Sequence, residues 1–346
     1  MATTHFKLDN NPFQFKNLQS LFERLNTNKL RMRSRNKICG ITVGLALACG
    51  LTATIQGQEI FVVNSGNPTA FPQNAAIGEY GLDGSTINAS LIPLLGNLWG
   101  LAISGNDLFI ANGDNVSEFT TSGASAGGIT DLGSANGIAI SGNDVFVSNL
   151  AGAGSISEYG LDGSTISGSL VSGRTYQPHG IAVSGNDLFV ASYGNGFNEP
   201  GNAVIGEYTT SGATVNASLI TGLAAPWGIA ISGSDLFVVN GDTIGEYGLD
   251  GSVINASLIT GLSDPNSIAI FGDDLFVSNA GNGTIGEYTL SGATVNASLI
   301  SGLNNPAGIV ITPEPSAVAL VGLGAAALFL RRRSARTSLL NPIRAE

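Results

Sequence analysis

The sequence predicts an all-β fold, a six-bladed β-propeller of four-stranded blades closed by a C-terminal strand, over residues 58–312. Three observations lead to this prediction. Glycine makes up 48 of 346 residues and charged residues only 11%, a composition typical of strands and tight turns and unlike that of a coiled coil. A strand-like motif recurs about every 43 residues, the length of a propeller blade. The two ends of the repeated region also carry incomplete units that complement each other.

Residues 1–57 precede the repeats and are predicted to contain an export signal. A short apolar run, Ile38–Ala53, follows four basic residues: Arg31, Arg33, Arg35 and Lys37. This order is typical of a signal peptide, and Met32 is an alternative start that gives it ordinary proportions. An N-terminal membrane anchor is the other interpretation, for which the run is short. Cleavage near residues 50–58 would remove both Cys39 and Cys49, leaving a mature chain without disulfides.

Each repeat unit contains four short strand-like segments. The second has a Phe at position 61, 109, 146, 189, 237 or 276. Before five of these stands an apolar segment ending in a turn, such as GIAISGND at 137–144. After each come a Glu-aromatic pair, an Asp-Gly or Ser-Gly turn and a segment such as TVNASLI. Short alternating segments bounded by such turns are typical of antiparallel strands.

The ends of the repeated region predict how the ring closes. The first unit begins at Glu59 and lacks its inner strand, whereas an orphan inner strand, Gly308–Thr312, follows the last unit. We expect this strand to complete the first blade, because the join pairs two edges that would otherwise be open.

The repeat unit resembles the NHL repeat and the wider group of lactonase-type and NHL propellers. The resemblance covers the pattern P-x-G-I-A-I, D-L-F-V-x-N and I-x-E-Y over about 250 residues. It implies the fold, and it implies little about activity, because such propellers host many functions.

The candidate binding residues are those at which the repeat departs from its own pattern. The position before the strand-one glycine or serine varies, and it holds Trp99, Asn136, His179, Trp227, Asn266 and Ala307. We expect these residues to ring one mouth of the central channel, with the two tryptophans facing each other. An asparagine ends strand two on the same side at 64, 112, 149, 240 and 279. Aromatic rings among amides suit a neutral, polyhydroxylated ligand; the alternative is that they cap the core and bind nothing.

Two recurring features are expected to be architectural. The triplet Asn-Ala-Ser at 88, 216, 255 and 296 matches a glycosylation sequon, but its recurrence in strand four favours a repeat feature. The glutamates of the Glu-aromatic pairs, at 79, 118, 158, 207, 246 and 287, are predicted to be solvated positions of strand three.

The C-terminal segment differs from the repeats in composition. Pro313, Glu314 and Pro315 precede an apolar stretch, 316–330, and then Arg331, Arg332 and Arg333. This arrangement resembles the PEP-CTERM sorting signal of Gram-negative bacteria over residues 313–333, with a short tail at 334–346 beyond it. The resemblance implies a transmembrane helix recognised by an exosortase, a membrane protease-transpeptidase. A plain C-terminal anchor is the alternative.

Charge excludes one class of partner. Residues 58–312 contain 21 acidic residues and a single basic one, Arg174. Such a surface repels phosphate backbones, which excludes nucleic-acid binding. The expected partners are the Sec export machinery, an exosortase-type enzyme and an extracellular polysaccharide or surface protein.

The sequence therefore predicts an exported propeller, transiently anchored by its C-terminal helix and then at the cell surface or outside the cell, that acts as a binding or scaffold module. The first alternative is a Ca²⁺-dependent, lactonase-like enzyme, with hard oxygen ligands at Asp114, Asp242, Asn112 and Asn240. The second is a purely structural matrix protein. No carboxylate occupies the mouth positions, so we expect no cofactor and assign no catalytic residue.

Overall fold

The computed structural model describes residues 58–66, 75–93, 96–173, 177–194 and 203–313. In these ranges the chain forms 24 strands arranged in six four-stranded antiparallel sheets. The predicted export signal, the short apolar helices that the sequence predicts at both termini and the tail at 334–346 lie outside the described residues. Among the residues that are described, there is no helix of the length and apolarity needed to cross a membrane.

Each sheet is one blade, and its strands run from the central channel outwards. Blade one contains β24 (Pro306–Ile311), β1 (Glu59–Asn64), β2 (Ala76–Gly81) and β3 (Thr86–Pro93). Blade two contains β4 (Leu98–Ser104), β5 (Asp107–Asn112), β6 (Val116–Thr120) and β7 (Ser125–Ile129). Blade three contains β8 (Ala135–Ser141), β9 (Asp144–Asn149), β10 (Ser155–Gly160) and β11 (Thr165–Ser172).

The other three blades repeat this order. Blade four contains β12 (Pro178–Ser184), β13 (Asp187–Ser192), β14 (Val204–Thr209) and β15 (Thr214–Ile220). Blade five contains β16 (Pro226–Ser232), β17 (Asp235–Asn240), β18 (Thr243–Gly248) and β19 (Val253–Ile259). Blade six contains β20 (Pro265–Phe271), β21 (Asp274–Asn279), β22 (Thr284–Thr289) and β23 (Thr294–Ile300).

The C-terminal strand closes the ring, which confirms the predicted fold class. β24 pairs antiparallel with β1, and Ile60 lies opposite Ile311. Beyond the last pair, the backbone N–H of Glu59 donates to Thr312 Oγ1 at 2.8 Å, and the N–H of Thr312 donates to the Glu59 carbonyl at 3.0 Å. Residues more than 250 positions apart in sequence thus complete one sheet.

The core lies between neighbouring blades. The six phenylalanines of the second strands are each at most 2% exposed. The Tyr of the Glu-aromatic pair is buried as well, and it lies over the glycine two residues before it: a Cβ at Gly78 would lie 2.6 Å from the Tyr80 ring. In the four blades that have Gly-Glu-Tyr, the absence of a side chain on the glycine leaves room for the ring; blade three has Ser157 at this position, and Tyr159 is still buried.

The inner strands of neighbouring blades pack closely at a glycine in five of the six blades. A methyl group at Gly137 would clash with the carbonyl oxygen of His179 in the next blade. In four other blades the equivalent glycine lies against the backbone carbonyl of the next blade in the same way. One of these contacts lies where the two ends of the ring meet: a Cβ at Gly308 in β24 would lie 2.5 Å from the Trp99 carbonyl oxygen.

The outer strands explain the Asn-Ala-Ser triplets. Each of these strands has an irregularity at the triplet, and the Asn side chain bonds within it: Asn88 Oδ1 accepts from the N–H of Ser90 at 3.1 Å. The same bond forms at Asn216, Asn255 and Asn296. An asparagine suits this position because its side chain satisfies the N–H that leaves the ladder.

The glutamates of strand three are less solvated than the sequence predicts. Glu79 is 8% exposed, and the other five are partly buried. Burial, and then the negative charge of Asp144 at the start of strand two, raise the pKa of Glu158 above its usual range. Glu118, Glu207, Glu246 and Glu287 share this arrangement with the corresponding Asp of their own blades. The prediction of a solvated position is therefore wrong for Glu79, which is buried, whereas the other five glutamates keep partial exposure.

Candidate functional site

A β-bulge in the inner strand of each blade positions the residue at the channel mouth. In blade two, Leu98 pairs with Asn112 and Leu101 with Ile110, so the segment containing Trp99 has one residue more than β5 opposite it. The inner strands of the other blades shift register at the same point. A bulge redirects a side chain out of the regular pleat, which explains why the variable residue of each repeat reaches the channel.

The six variable residues line one central cavity. Its volume is about 370 Å³, and its walls come from the inner strands of all six blades. The predicted residues Trp99, Asn136, His179, Trp227 and Asn266 all line it, together with Ala307. These residues therefore share one channel, as expected, and ligand binding by them stays a prediction.

The aromatic side chains at the mouth form one cluster. The rings of Trp99 and Trp227 stack with centroids 6.5 Å apart and planes 17° from parallel. The imidazole of His179 lies 4.0 Å from the Trp227 ring, centroid to centroid. Trp99 remains 38% exposed, so the cluster presents an aromatic surface to solvent. The two tryptophans, from blades three positions apart, face each other as predicted, and they are close enough to stack.

Tyr193 is the member of this cluster that the sequence analysis missed. Its ring makes edge-on contacts with both His179 and Trp227, each at a centroid distance of 5.9 Å. Tyr193 directly follows strand two of blade four, at the start of a connection to β14 that is longer than its counterparts in blades two, three, five and six. That insertion, rather than the repeat pattern, is the signal that points to it.

His179 and Asn136 form a buried polar pair beneath the aromatic cluster. His179 is 7% exposed and Asn136 is 6% exposed. His179 Nδ1 lies 3.2 Å from Asn136 Oδ1. Burial lowers the pKa of His179 to about 4, so the imidazole is neutral at neutral pH and its Nδ1–H donates this bond. The Asn136 amide nitrogen is buried and has no hydrogen-bond partner among the described residues.

Asn266 differs from Asn136 in being satisfied by the fold. Its Nδ2 donates to the Pro306 carbonyl at 3.3 Å, which joins blade six to the closing strand. The backbone at two mouth positions is also held from below: Ser148 Oγ donates to the His179 carbonyl at 2.7 Å, and Ser278 Oγ to the Ala307 carbonyl at 2.6 Å.

The asparagines that end strand two are bonded within the fold. Asn64 Oδ1 accepts from the N–H of Asn304 at 2.6 Å, and Asn240 Oδ1 accepts from the N–H of Ala224 at 2.7 Å. The other three donate to a hydroxyl of strand three; these are Asn112, Asn149 and Asn279. They lie at the predicted edge, but they hold loops and strands together and do not line the channel.

The oxygen atoms considered for Ca²⁺ do not converge in the channel. Asp114 and Asp242 are exposed, and neither lines the cavity. Across the described residues, no three His, Cys, Asp or Glu side chains form a group that could hold a metal ion.

The other candidate segment begins where the closing strand ends. Pro313 is exposed directly after it, and residues 314–333 lie outside the described residues. Residues 312–333 match the PEP-CTERM protein-sorting motif. The chain carries this sorting motif. It implies export, sorting at the membrane and processing by an exosortase-type enzyme.

Comparisons with known proteins support the fold alone. A comparison with curated proteins found no match. A nidogen/laminin complex contains a similar structure, with a TM-score of 0.60 and 16% identity over 74% of this chain and 99% of that one. A gluconolactonase from Xanthomonas campestris has a TM-score of 0.53 and 13% identity over 70% and 86%. The PQQ-bound aldose sugar dehydrogenase of Streptomyces coelicolor has a TM-score of 0.52 and 14% identity over 64% and 86%.

Proposed function

We propose that this exported propeller is a binding module whose aromatic mouth takes a neutral, polyhydroxylated ligand, such as an extracellular polysaccharide of the producing cell. In this proposal the signal in residues 1–57 directs Sec-dependent export, and the PEP-CTERM motif brings the domain to the cell surface, where such a ligand is present.

The observation that carries the proposal is the convergence of four rings at one mouth of the channel. Trp99, Trp227, His179 and Tyr193 come from three different blades and contact one another. The only two tryptophans of the chain both lie there. Because Trp99 is more than one-third exposed, its ring offers an apolar surface on which the C–H face of a sugar can pack.

The charge of the site favours a neutral ligand. None of the described residues that line the channel is acidic, lysine or arginine, and the low pKa of His179 keeps its imidazole uncharged at neutral pH. A charged ligand would lose hydration here without gaining an opposite charge. The same absence of carboxylates from the lining gives the metal-dependent hydrolase alternative no support from this site.

Calorimetric titration of the full-length protein with neutral oligosaccharides from the producing strain tests the proposal. Trp99→Ala should weaken binding several-fold, because an aromatic contact of this kind contributes on the order of 1 kcal/mol. Asp187→Asn, on the turn at the opposite end of the blade, is the matched control and should leave affinity unchanged. If no neutral oligosaccharide binds, or if Trp99→Ala binds as tightly as the parent, the purely structural interpretation replaces this one.

A further inference from the structure

We propose that the mouth selects sugars that carry an acetamido group, whose carbonyl accepts a hydrogen bond from Asn136 Nδ2 and whose methyl lies in the channel below. This inference rests on the proposed function and narrows its ligand class.

The first step is the unsatisfied amide. Asn136 Nδ2 is buried without a partner among the described residues, and Asn136 lines the cavity. Buried donors are nearly always paired in folded proteins, so an unpaired one on a residue that lines a cavity calls for an acceptor. The equivalent amide of blade six, on Asn266, already donates to a backbone carbonyl. Asn136 is therefore the mouth amide with a donor left for a ligand.

The second step is the acceptor beside it. His179 uses Nδ1 in its bond to Asn136, and the neutral imidazole then has a lone pair on Nε2. No hydrogen bond within the described ranges engages that nitrogen. The pair thus offers one N–H donor and one acceptor, and an acetamido group has the complementary carbonyl and N–H. A hydroxyl can satisfy either group alone, whereas one acetamido group can satisfy both.

The third step is the wall of the channel. Below the mouth, the cavity is lined by glycine backbone and by Ala, Ile, Leu and Val side chains of the inner strands. Ala230 is among them and is partly exposed. A methyl group gains from burial in such surroundings, whereas a hydroxyl would lose its hydrogen bonds. The aromatic cluster above leaves the pyranose ring itself at the mouth.

The experiment compares N-acetylglucosamine with glucose on the full-length protein, by calorimetry and by tryptophan fluorescence. We expect N-acetylglucosamine to bind at least ten-fold more tightly. Asn136→Leu, which keeps the side-chain size and removes the donor, should reduce this ratio to near one. Asn88→Ala, in the outer strand of blade one, should keep the parent ratio.

A second variant keeps the proposal testable if Asn136→Leu does not fold. Ala230→Leu adds bulk to a residue that lines the channel below the mouth, so it should weaken N-acetylglucosamine binding and leave glucose binding within two-fold of the parent. Because Ala230 also packs against the core of blades five and six, the Tm of this variant is measured alongside. Equal binding of both sugars to the parent protein, or an unchanged ratio in either channel variant, would overturn this inference and leave the proposed function standing. If no neutral glycan binds at all, both fail.

Discussion

Replacing Ile309 with alanine should destabilise the whole ring, because this residue belongs to the strand that closes it. Ile309 is 3% exposed and packs in a cluster with Ile60, Val62 and Phe276. The cluster therefore joins blade six to a blade built from both ends of the repeated region. Truncation of a buried isoleucine costs about 2–5 kcal/mol, a large part of a total stability of about 5–15 kcal/mol.

Thermal unfolding followed by circular dichroism measures this effect. A loss of 1 kcal/mol lowers the Tm of a domain of this size by about 2–4 °C, so we expect Ile309→Ala to melt on the order of 10 °C below the parent. The matched control is Ile254→Ala in an outer strand, where the side chain is 53% exposed and the cost should stay within about 0.5 kcal/mol. If the two variants melt at the same temperature, Ile309 is not buried in a closing strand and this account of closure is wrong.

Three further predictions concern packing, pH and sorting. Gly137→Ala should lower the free energy of unfolding by about 1–3 kcal/mol, because the added methyl meets a backbone carbonyl that cannot move aside. The control is Gly142→Ala, at φ +60° in open space, which should cost about 1 kcal/mol through backbone strain alone. An equal loss of stability in the two variants would contradict the packing argument. The raised pKa of Glu158 means that its protonated form is favoured by folding. Its contribution to stability is therefore full below the ordinary value of 4.5 and is lost as the pH rises through the higher folded pKa. Glu158→Gln should accordingly raise the Tm at pH 7 more than at pH 4, and a larger gain at pH 4 would refute the sign. Alanine at all three positions of 313–315 should leave export intact and the tail uncleaved, which immunoblotting of membrane and surface fractions detects; normal cleavage would show that the motif is not read.

Much of the fold could be predicted from the sequence, because the pattern of each strand recurs in all six repeat units. Alternation and turn residues fix the strands of a unit, and the orphan segment at 308–312 has a single unpaired edge to complete. The mouth positions could be predicted for the same reason, since the residue before the strand-one glycine or serine occupies an equivalent place in every blade.

The contacts within the site could not be predicted, because they depend on the geometry of the closed ring. The bulge that redirects Trp99, the stacking distance between Trp99 and Trp227 and the burial of His179 all depend on the width of the channel. Tyr193 belongs to a connection whose length and sequence do not follow the repeat. The burial of Glu79 could not be predicted for a related reason: alternation within one strand does not tell how closely the next blade covers it.

The most direct test of the proposed binding mouth is acrylamide quenching of tryptophan fluorescence, with and without saturating neutral oligosaccharide from the producing strain. Trp99 and Trp227 are the only tryptophans in the chain, so the signal reports on the mouth alone. Ligand that packs on the exposed face of Trp99 should lower the quenching constant and shift the emission to shorter wavelength. An unchanged quenching constant, at a ligand concentration that calorimetry shows to be saturating, would place the ligand elsewhere on the propeller and contradict the assignment of the mouth as the binding site.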